Sequence, residues 1–122
     1  MGFTTTIYNF PPSSNNRLMS ARGRLIKTGR YRSWQQATAD MVREQIRGRP
    51  LEGRLRLTMR VHMPDRRKRD LDNLVKPIQD ALQLAGLYYD DSQIKHLDIM
   101  EVGVDPIGGI EIEVTETGDR PC

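Results

Sequence analysis

Cysteine occurs once in this chain, at Cys122. A single thiol excludes an internal disulfide framework, and it excludes zinc sites built on four cysteines or on two cysteines and two histidines. It also points weakly to a reducing, cytoplasmic setting. Large rings are scarce: Phe3, Phe10, Trp34 and four tyrosines. A 122-residue chain of this kind builds one modest core, and burial against a second copy would add to its stability. No apolar run approaches the roughly 20 residues of a membrane span. Met1-Gly2-Phe3-Thr4-Thr5-Thr6 has neither the basic stretch nor the long apolar run of a signal peptide. Also missing is any Asp or Glu before Asp40.

That last absence belongs to a wider asymmetry. Residues 1–69 hold 16 Lys and Arg against 4 Asp and Glu, a balance of +12. Residues 70–122 hold 3 against 12, a balance of −9. A chain divided this way is prepared for a polyanion on one side and a cation on the other. The plainer reading is a basic face meeting an acidic one across a dimer.

Periodicity gives a coarse map. Residues 3–10 read as a strand, which Pro11-Pro12-Ser13-Ser14-Asn15-Asn16 breaks. A loop to about residue 30 carries Arg17, Arg22, Arg24, Lys27 and Arg30, with Gly23 and Gly29 as flexible points; its charge suits contact with DNA or RNA. Residues 31–47 read as a helix with Trp34, Ala37, Met41, Val42 and Ile46 near one face. In residues 54–63, Leu55, Leu57, Met59, Val61 and Met63 alternate with Arg54, Arg56, Thr58, Arg60 and His62. This is a strand with one buried face and one that is exposed or turned to a polyanion. A second helix is expected from about Asp72 to Ala85, started by Asp70 or Asp72 as N-cap and ended by Gly86. Pro77 restricts its beginning to the neighbourhood of Asp72 and Asn73. Strands follow at about 93–104 and 110–116. The expected class is α+β, a single small domain spanning 1–122 in the order β-α-β-α-β-β, with two helices packed on a mixed or antiparallel sheet.

The chemistry concentrates in Met63-Pro64-Asp65-Arg66-Arg67-Lys68-Arg69-Asp70-Leu71-Asp72-Asn73-Leu74-Val75-Lys76. Arg66, Arg67, Lys68 and Arg69 suit a phosphate backbone. Asp70 and Asp72 suit a divalent metal, although capping a helix explains an isolated pair equally well. An EF-hand is excluded, because counting from Asp70 puts Val75 where its glycine belongs and Ala81 where its glutamate belongs. Lys76 reads either as an i, i+4 partner of Asp72 or as a cation that steadies a phosphate or the attacking water. Asp90-Asp91 reads as a polar turn or as further metal-binding carboxylate. His62 and His96 show no pattern of a ligand or base.

Taken together these residues resemble the RusA family of Holliday junction resolvases. The segment from His62 to Leu74 is similar to the family's central signature. Lys76 and Asp90-Asp91 fall where the family has them, and so do Pro11-Pro12-Ser13 and Asn15-Asn16. One departure is that Leu18 and Met19 follow Asn15-Asn16-Arg17, where aromatic residues are frequent in the family. The resemblance covers almost the whole chain. It implies a bacterial or prophage-borne homodimer that nicks four-way DNA junctions symmetrically with Mg²⁺, Mn²⁺ substituting. It further implies that Asp70, Asp72 and Asp91 are the essential metal-binding acids and that Lys76 assists catalysis. Asn15, Asn16, Arg17 and Arg66 to Arg69 are then the expected DNA contacts.

One geometric difficulty stands out. A helix from Asp72 to Ala85 is about 20 Å long at 1.5 Å per residue. Asp91, beyond its far end, reaches Asp70 only if the chain doubles back at once or if a second subunit supplies it. Other classes also stand open: a DNA-binding protein without catalysis, a Mg²⁺-dependent nuclease for flaps or RNA, and a subunit-interaction protein using charge asymmetry alone.

Overall fold

The alternation in residues 55–63 decides the centre of the molecule. Leu55, Leu57, Met59, Val61 and Met63 are all buried, and the strand they form lies inside a sheet, with partners on both edges. The structure is a computed structural model that describes residues 2–13 and 16–117. Its strands are β1 (Gly2–Ile7), β2 (Leu18–Ala21), β3 (Arg24–Lys27), β4 (Leu55–Met63), β5 (Ile94–Val104) and β6 (Gly109–Glu116). Its helices are α1 (Gly29–Gln45) and α2 (Val75–Leu84), with short 3₁₀ turns at Leu71–Leu74 and Asp91–Gln93.

Four strands form one mixed sheet in the order β1-β6-β4-β5. β4 and β5 run parallel, so the chain must cross over between them, and α2 is that crossover. The other pairs are antiparallel. Ile110, Ile112 and Val114 of β6 join the β4 side chains in the core. Tyr31, Trp34, Ala39 and Val42 of α1 and Ile78, Ala81 and Leu82 of α2 complete it. The expected α+β layering is therefore observed. Truncating any of these buried leucines or isoleucines to alanine would cost about 2–5 kcal/mol.

The basic β4 residues of the other sheet face are answered from neighbouring strands: Arg56 by Asp98 at 2.6 Å, Arg60 by Glu113 at 4.0 Å, and His62 by Glu111. Only part of this face is as open as expected: Arg56 is exposed, Arg60 and His62 are half-buried, and Thr58 is buried, while the basic side chains are answered within the sheet.

Four local features differ from the expectation. Residues 18–27 are not a plain loop: β2 and β3 form an antiparallel hairpin outside the main sheet. The local pattern was too short to show an amphipathic period. α1 starts earlier, because the Thr28 hydroxyl accepts the Tyr31 N–H at 3.1 Å and caps it. Within α1, Ala37 is exposed, and Thr38 and Ala39 are buried instead. The second helix begins as a 3₁₀ turn and becomes α-helical only at Val75, so Pro77 lies in its first turn, where a missing N–H is tolerated.

Candidate active site

Strand β4 delivers the chain to Met63, and the following loop is organised by one acid. Asp65 accepts the Arg67 N–H at 2.9 Å and the Arg69 guanidinium at 2.6 and 3.3 Å. The hydrogen bond from Arg69, reinforced by that from Arg67, holds the Asp65 carboxyl below the usual carboxylate range. Arg69 also lies over the Phe10 ring, 5.8 Å from its centre. One cation of the tetrad is thus spent on shaping the loop. Arg66, Arg67 and Lys68 remain exposed and have no ion-pair partner among the described residues.

The loop ends at Asp70, which occupies the N-cap position of the 3₁₀ turn; the Asn73 N–H reaches its carbonyl at 3.2 Å. Its side chain makes no capping bond. Asp70 and Asp72 are both exposed, and neither carboxylate has a hydrogen-bond or ion-pair partner among the described residues. Side-chain capping by Asp70 is therefore not observed, while Asp72 does lie in the first turn, where an acid complements the helix dipole. Two carboxylates that follow a cationic run in sequence, yet pair with none of the described residues, are available to bind something else.

Lys76, in the first turn of α2, does not pair back with Asp72. Its ammonium lies 3.2 Å from Asp80 and 3.0 Å from Asp91. The bonds to Asp91 and then Asp80 hold that ammonium above the usual lysine range, so it is charged throughout the neutral region.

The Asp91 contact answers the geometric difficulty as far as Lys76: the chain does double back after α2. Gly86, with φ of +85°, turns the chain. Tyr88, 2% exposed, donates its hydroxyl to the Gln79 carbonyl at 2.7 Å and pins the return segment to the helix. The Asp91 N–H donates to the Gln83 side chain at 2.9 Å. Asp90 has the local role: its carboxylate accepts the Ser92 N–H and caps the short turn in a box with Gln93.

The remaining expected contacts line a cleft of about 500 Å³ formed by Phe10, Asn16, Arg17, Arg67, Lys68 and Asp70, among others. Arg17 is a strut: it donates to the Pro12 carbonyl at 2.7 Å and to the Asn73 carbonyl at 2.6 Å. It thereby ties the hairpin's base to the turn that carries Asp70 and Asp72. Asn16 is exposed at the rim; Asn15 lies outside the described residues.

The sequence model of the family described as endodeoxyribonuclease RusA matches residues 9–115. The chain belongs to the RusA family. Proteins named crossover junction endodeoxyribonuclease RusA from Escherichia coli strain K12 and from Enterobacteria phage 82 are each 33% identical to it over 111 residues, 91% of this chain and 92% of the relative. One from Shigella sonnei is 32% identical over the same shares. The RusA match includes the cleft, the turn at Asp70–Asn73 and the Lys76 contacts.

RusA membership implies a divalent metal. The free carboxylates of Asp70 and Asp72 are hard oxygen donors of the kind such an ion takes, so the donor chemistry fits. Among the described residues of a single chain, no three His, Cys, Asp or Glu side chains are grouped closely enough to hold it. Asp91 is gathered to Lys76, not into a three-acid cluster with Asp70 and Asp72.

Several participants escaped the sequence reading. Asp80 was legible in principle, since it stands four residues beyond Lys76 on the same helix. Gln93 was legible too, three residues beyond Asp90 at capping-box spacing, whereas Gln83 and the Arg17–Asn73 tie carried no local signal.

Proposed function

We propose that this protein is a structure-specific endodeoxyribonuclease that resolves four-way DNA junctions by metal-dependent phosphodiester hydrolysis, serving recombination and repair in the cytoplasm of a bacterium or prophage host. One domain, residues 1–122, carries the activity. The observation that carries this reading is the pair of carboxylates, Asp70 lining a cation-lined cleft and Asp72 two residues on, both without a partner among the described residues, in a RusA-family chain. The relatives' names supply the substrate class: they are crossover junction endodeoxyribonucleases.

Asp70, Asp72 and Asp91 would hold the ion. Mg²⁺ is proposed, with Mn²⁺ able to substitute, because both accept carboxylate and water oxygens. A bound divalent ion lowers the pKa of water and offsets phosphate charge. Lys76 places a permanent positive charge where the scissile phosphate gains negative charge. Arg66, Arg67 and Lys68 grip the flanking backbone, Asn16 contributes at the cleft's edge, and Asn15 is proposed as a further DNA contact. Arg17 and Arg69 act by holding the loops that present these groups. Hydrolysis leaves a 5′-phosphate and a 3′-hydroxyl.

A homodimer fits both the substrate and the surface. A four-way junction has paired equivalent strands, and a two-fold dimer has paired equivalent sites. β5 is an edge strand with Leu97, Met100, Val102 and Val104 exposed, an apolar edge that a second copy would cover. Dimerisation also offers a route to the third ligand: Asp91 supplied by the second subunit, in place of the chain's own Asp91, which is bonded to Lys76.

Asp70→Asn tests the site. Cleavage should fall by about 100-fold or more, with junction affinity kept or raised because a negative charge beside the phosphate is lost. Normal cleavage by this variant would remove Asp70 from the mechanism. Comparing junction, flap, linear duplex and RNA substrates separates a resolvase from a broader nuclease, and from a protein that binds branched DNA without cutting it.

A further inference from the structure

The β2–β3 hairpin leaves apolar side chains in solvent on both of its faces. Leu18 pairs with Lys27 and Ser20 with Leu25 on one face; Met19 pairs with Ile26 and Ala21 with Arg24 on the other. Leu25 is 72% exposed, Leu18 50%, Met19 48% and Ile26 39%. A hairpin laid on a protein surface needs only one apolar face, with the alternate positions polar. Two apolar faces suit an element with something on either side of it.

The tip has its own signature. Arg22 and Gly23 both have positive φ, +53° and +74°, as a tight two-residue hairpin turn of the I′ type requires. Asn or Gly takes the first of these positions more easily than arginine, and strained positions of this kind gather at ligand-contacting sites. Arg24 follows at once, and residues 16–30 contain five cations and no acid.

The base is anchored to the catalytic segment. The Thr28 N–H and hydroxyl bind the carbonyls of Arg17 and Asn16, closing the hairpin at its root. Lys27 is held by Gln35 and lies over the Tyr31 ring. Arg17 runs from that root to the Asn73 carbonyl. The arm therefore has a set position relative to Asp70 and Asp72.

We propose that this hairpin is a branch-point wedge. Leu25 on one face, and Met19 with Ile26 on the other, pack against base faces exposed where duplex arms meet, while Arg22 and Arg24 hold the phosphates beside them. Apolar side chains inserted between base steps and flanked by cations are a recurrent means of opening DNA, and a stacked linear duplex exposes no such faces except at its ends. The Arg17 tie then sets how far from the branch the cut falls. The inference rests on the junction reading above and names the element that recognises the branch.

The test uses the full chain with Asp70→Asn to suppress cleavage, and four-way junctions carrying 2-aminopurine beside the branch point. Binding of the Asp70→Asn protein should raise 2-aminopurine fluorescence severalfold, because the base becomes unstacked. Adding Met19→Ser and Leu25→Ser should abolish most of that rise and weaken junction binding by about 10-fold or more, given what stacking on one base contributes. Affinity for linear duplex should stay within about twofold. Circular dichroism and sedimentation of the same variant should match its parent. A retained rise in the serine variant overturns the wedge. So does junction binding by the parent with no rise. A lost rise accompanied by a change in sedimentation also overturns it, because the exposed side chains then belong to a subunit contact. If the parent shows no preference for junction over duplex, the junction reading itself fails.

Discussion

Lys76 Nζ lies 3.0 Å from Asp91 Oδ2, a contact that joins the start of α2 to the segment returning from its end. Asp80 holds the same ammonium from the next turn, at 3.2 Å. The lysine is thus a located charge and not a free surface side chain, although it is largely exposed.

Removing that charge should harm chemistry more than binding. Lys76→Ala is expected to lower the single-turnover cleavage rate by about 100- to 1,000-fold, the range for loss of one group aimed at developing charge. Junction affinity should change by less than about fivefold. Asp80→Asn should be mild by comparison, since an exposed i, i+4 pair contributes only about 0.3–0.5 kcal/mol. Equal losses in both variants would mean that Asp80 has a larger part than holding Lys76.

Tyr88 supplies a stability test of the doubled-back segment. Its buried hydroxyl donates to the Gln79 carbonyl, and burial keeps the phenol protonated. Tyr88→Phe should cost about 1 kcal/mol, read from urea unfolding. Tyr88→Ala should cost about 3–5 kcal/mol, by analogy with other large aromatic truncations. A Phe variant as stable as the parent would show that the hydroxyl bond does not fasten the return segment.

The Asp65 clamp gives a pH prediction. The Arg69 bond lowers the Asp65 pKa in the folded protein. Its contribution to stability is therefore fully present above the unfolded carboxylate value, about 3.9, and is lost as pH falls through the lower folded value. Carboxyl-detected NMR should find Asp65 titrating below the ordinary range in the parent and closer to it in Arg69→Ala. An unchanged midpoint in Arg69→Ala would contradict the clamp.

The parts of the fold that repeat were legible in the sequence. The period-two run from Leu55 to Met63 and the apolar stripe of Leu74, Ile78 and Leu82 each bury a continuous face, and that pattern is local. The hairpin was hidden because four-residue strands leave almost no period, and because Arg22 occupies a turn position where Asn or Gly would have signalled it. At the site, Asp70, Asp72, Lys76 and Asp91 were visible as residue types at a spacing. The pairing of Lys76 with Asp91 was not. Whether Lys76 pairs with Asp72 or Asp91 depends on how the chain returns after Gly86, which is tertiary. The use of Arg17 and Arg69 as struts was likewise invisible, since a cation bonded to a carbonyl and one awaiting phosphate look alike in sequence.

Binding should carry the electrostatic mark of Arg66, Arg67 and Lys68. Each phosphate contact adds about 0.9 to the slope of log affinity against log salt on duplex DNA. Replacing one of these residues by alanine should reduce the slope by roughly 1 on every DNA form. An unchanged slope for all three would place the DNA elsewhere.

The most direct measurement is cleavage of an immobile four-way junction beside a matched linear duplex, in Mg²⁺ and in EDTA. Paired symmetrical nicks in the junction alone, absent in EDTA, are the expected result. Tight junction binding with no cleavage in Mg²⁺ or Mn²⁺ would contradict the nuclease reading and leave a protein that binds branched DNA, with Asp70 and Asp72 outside any reaction.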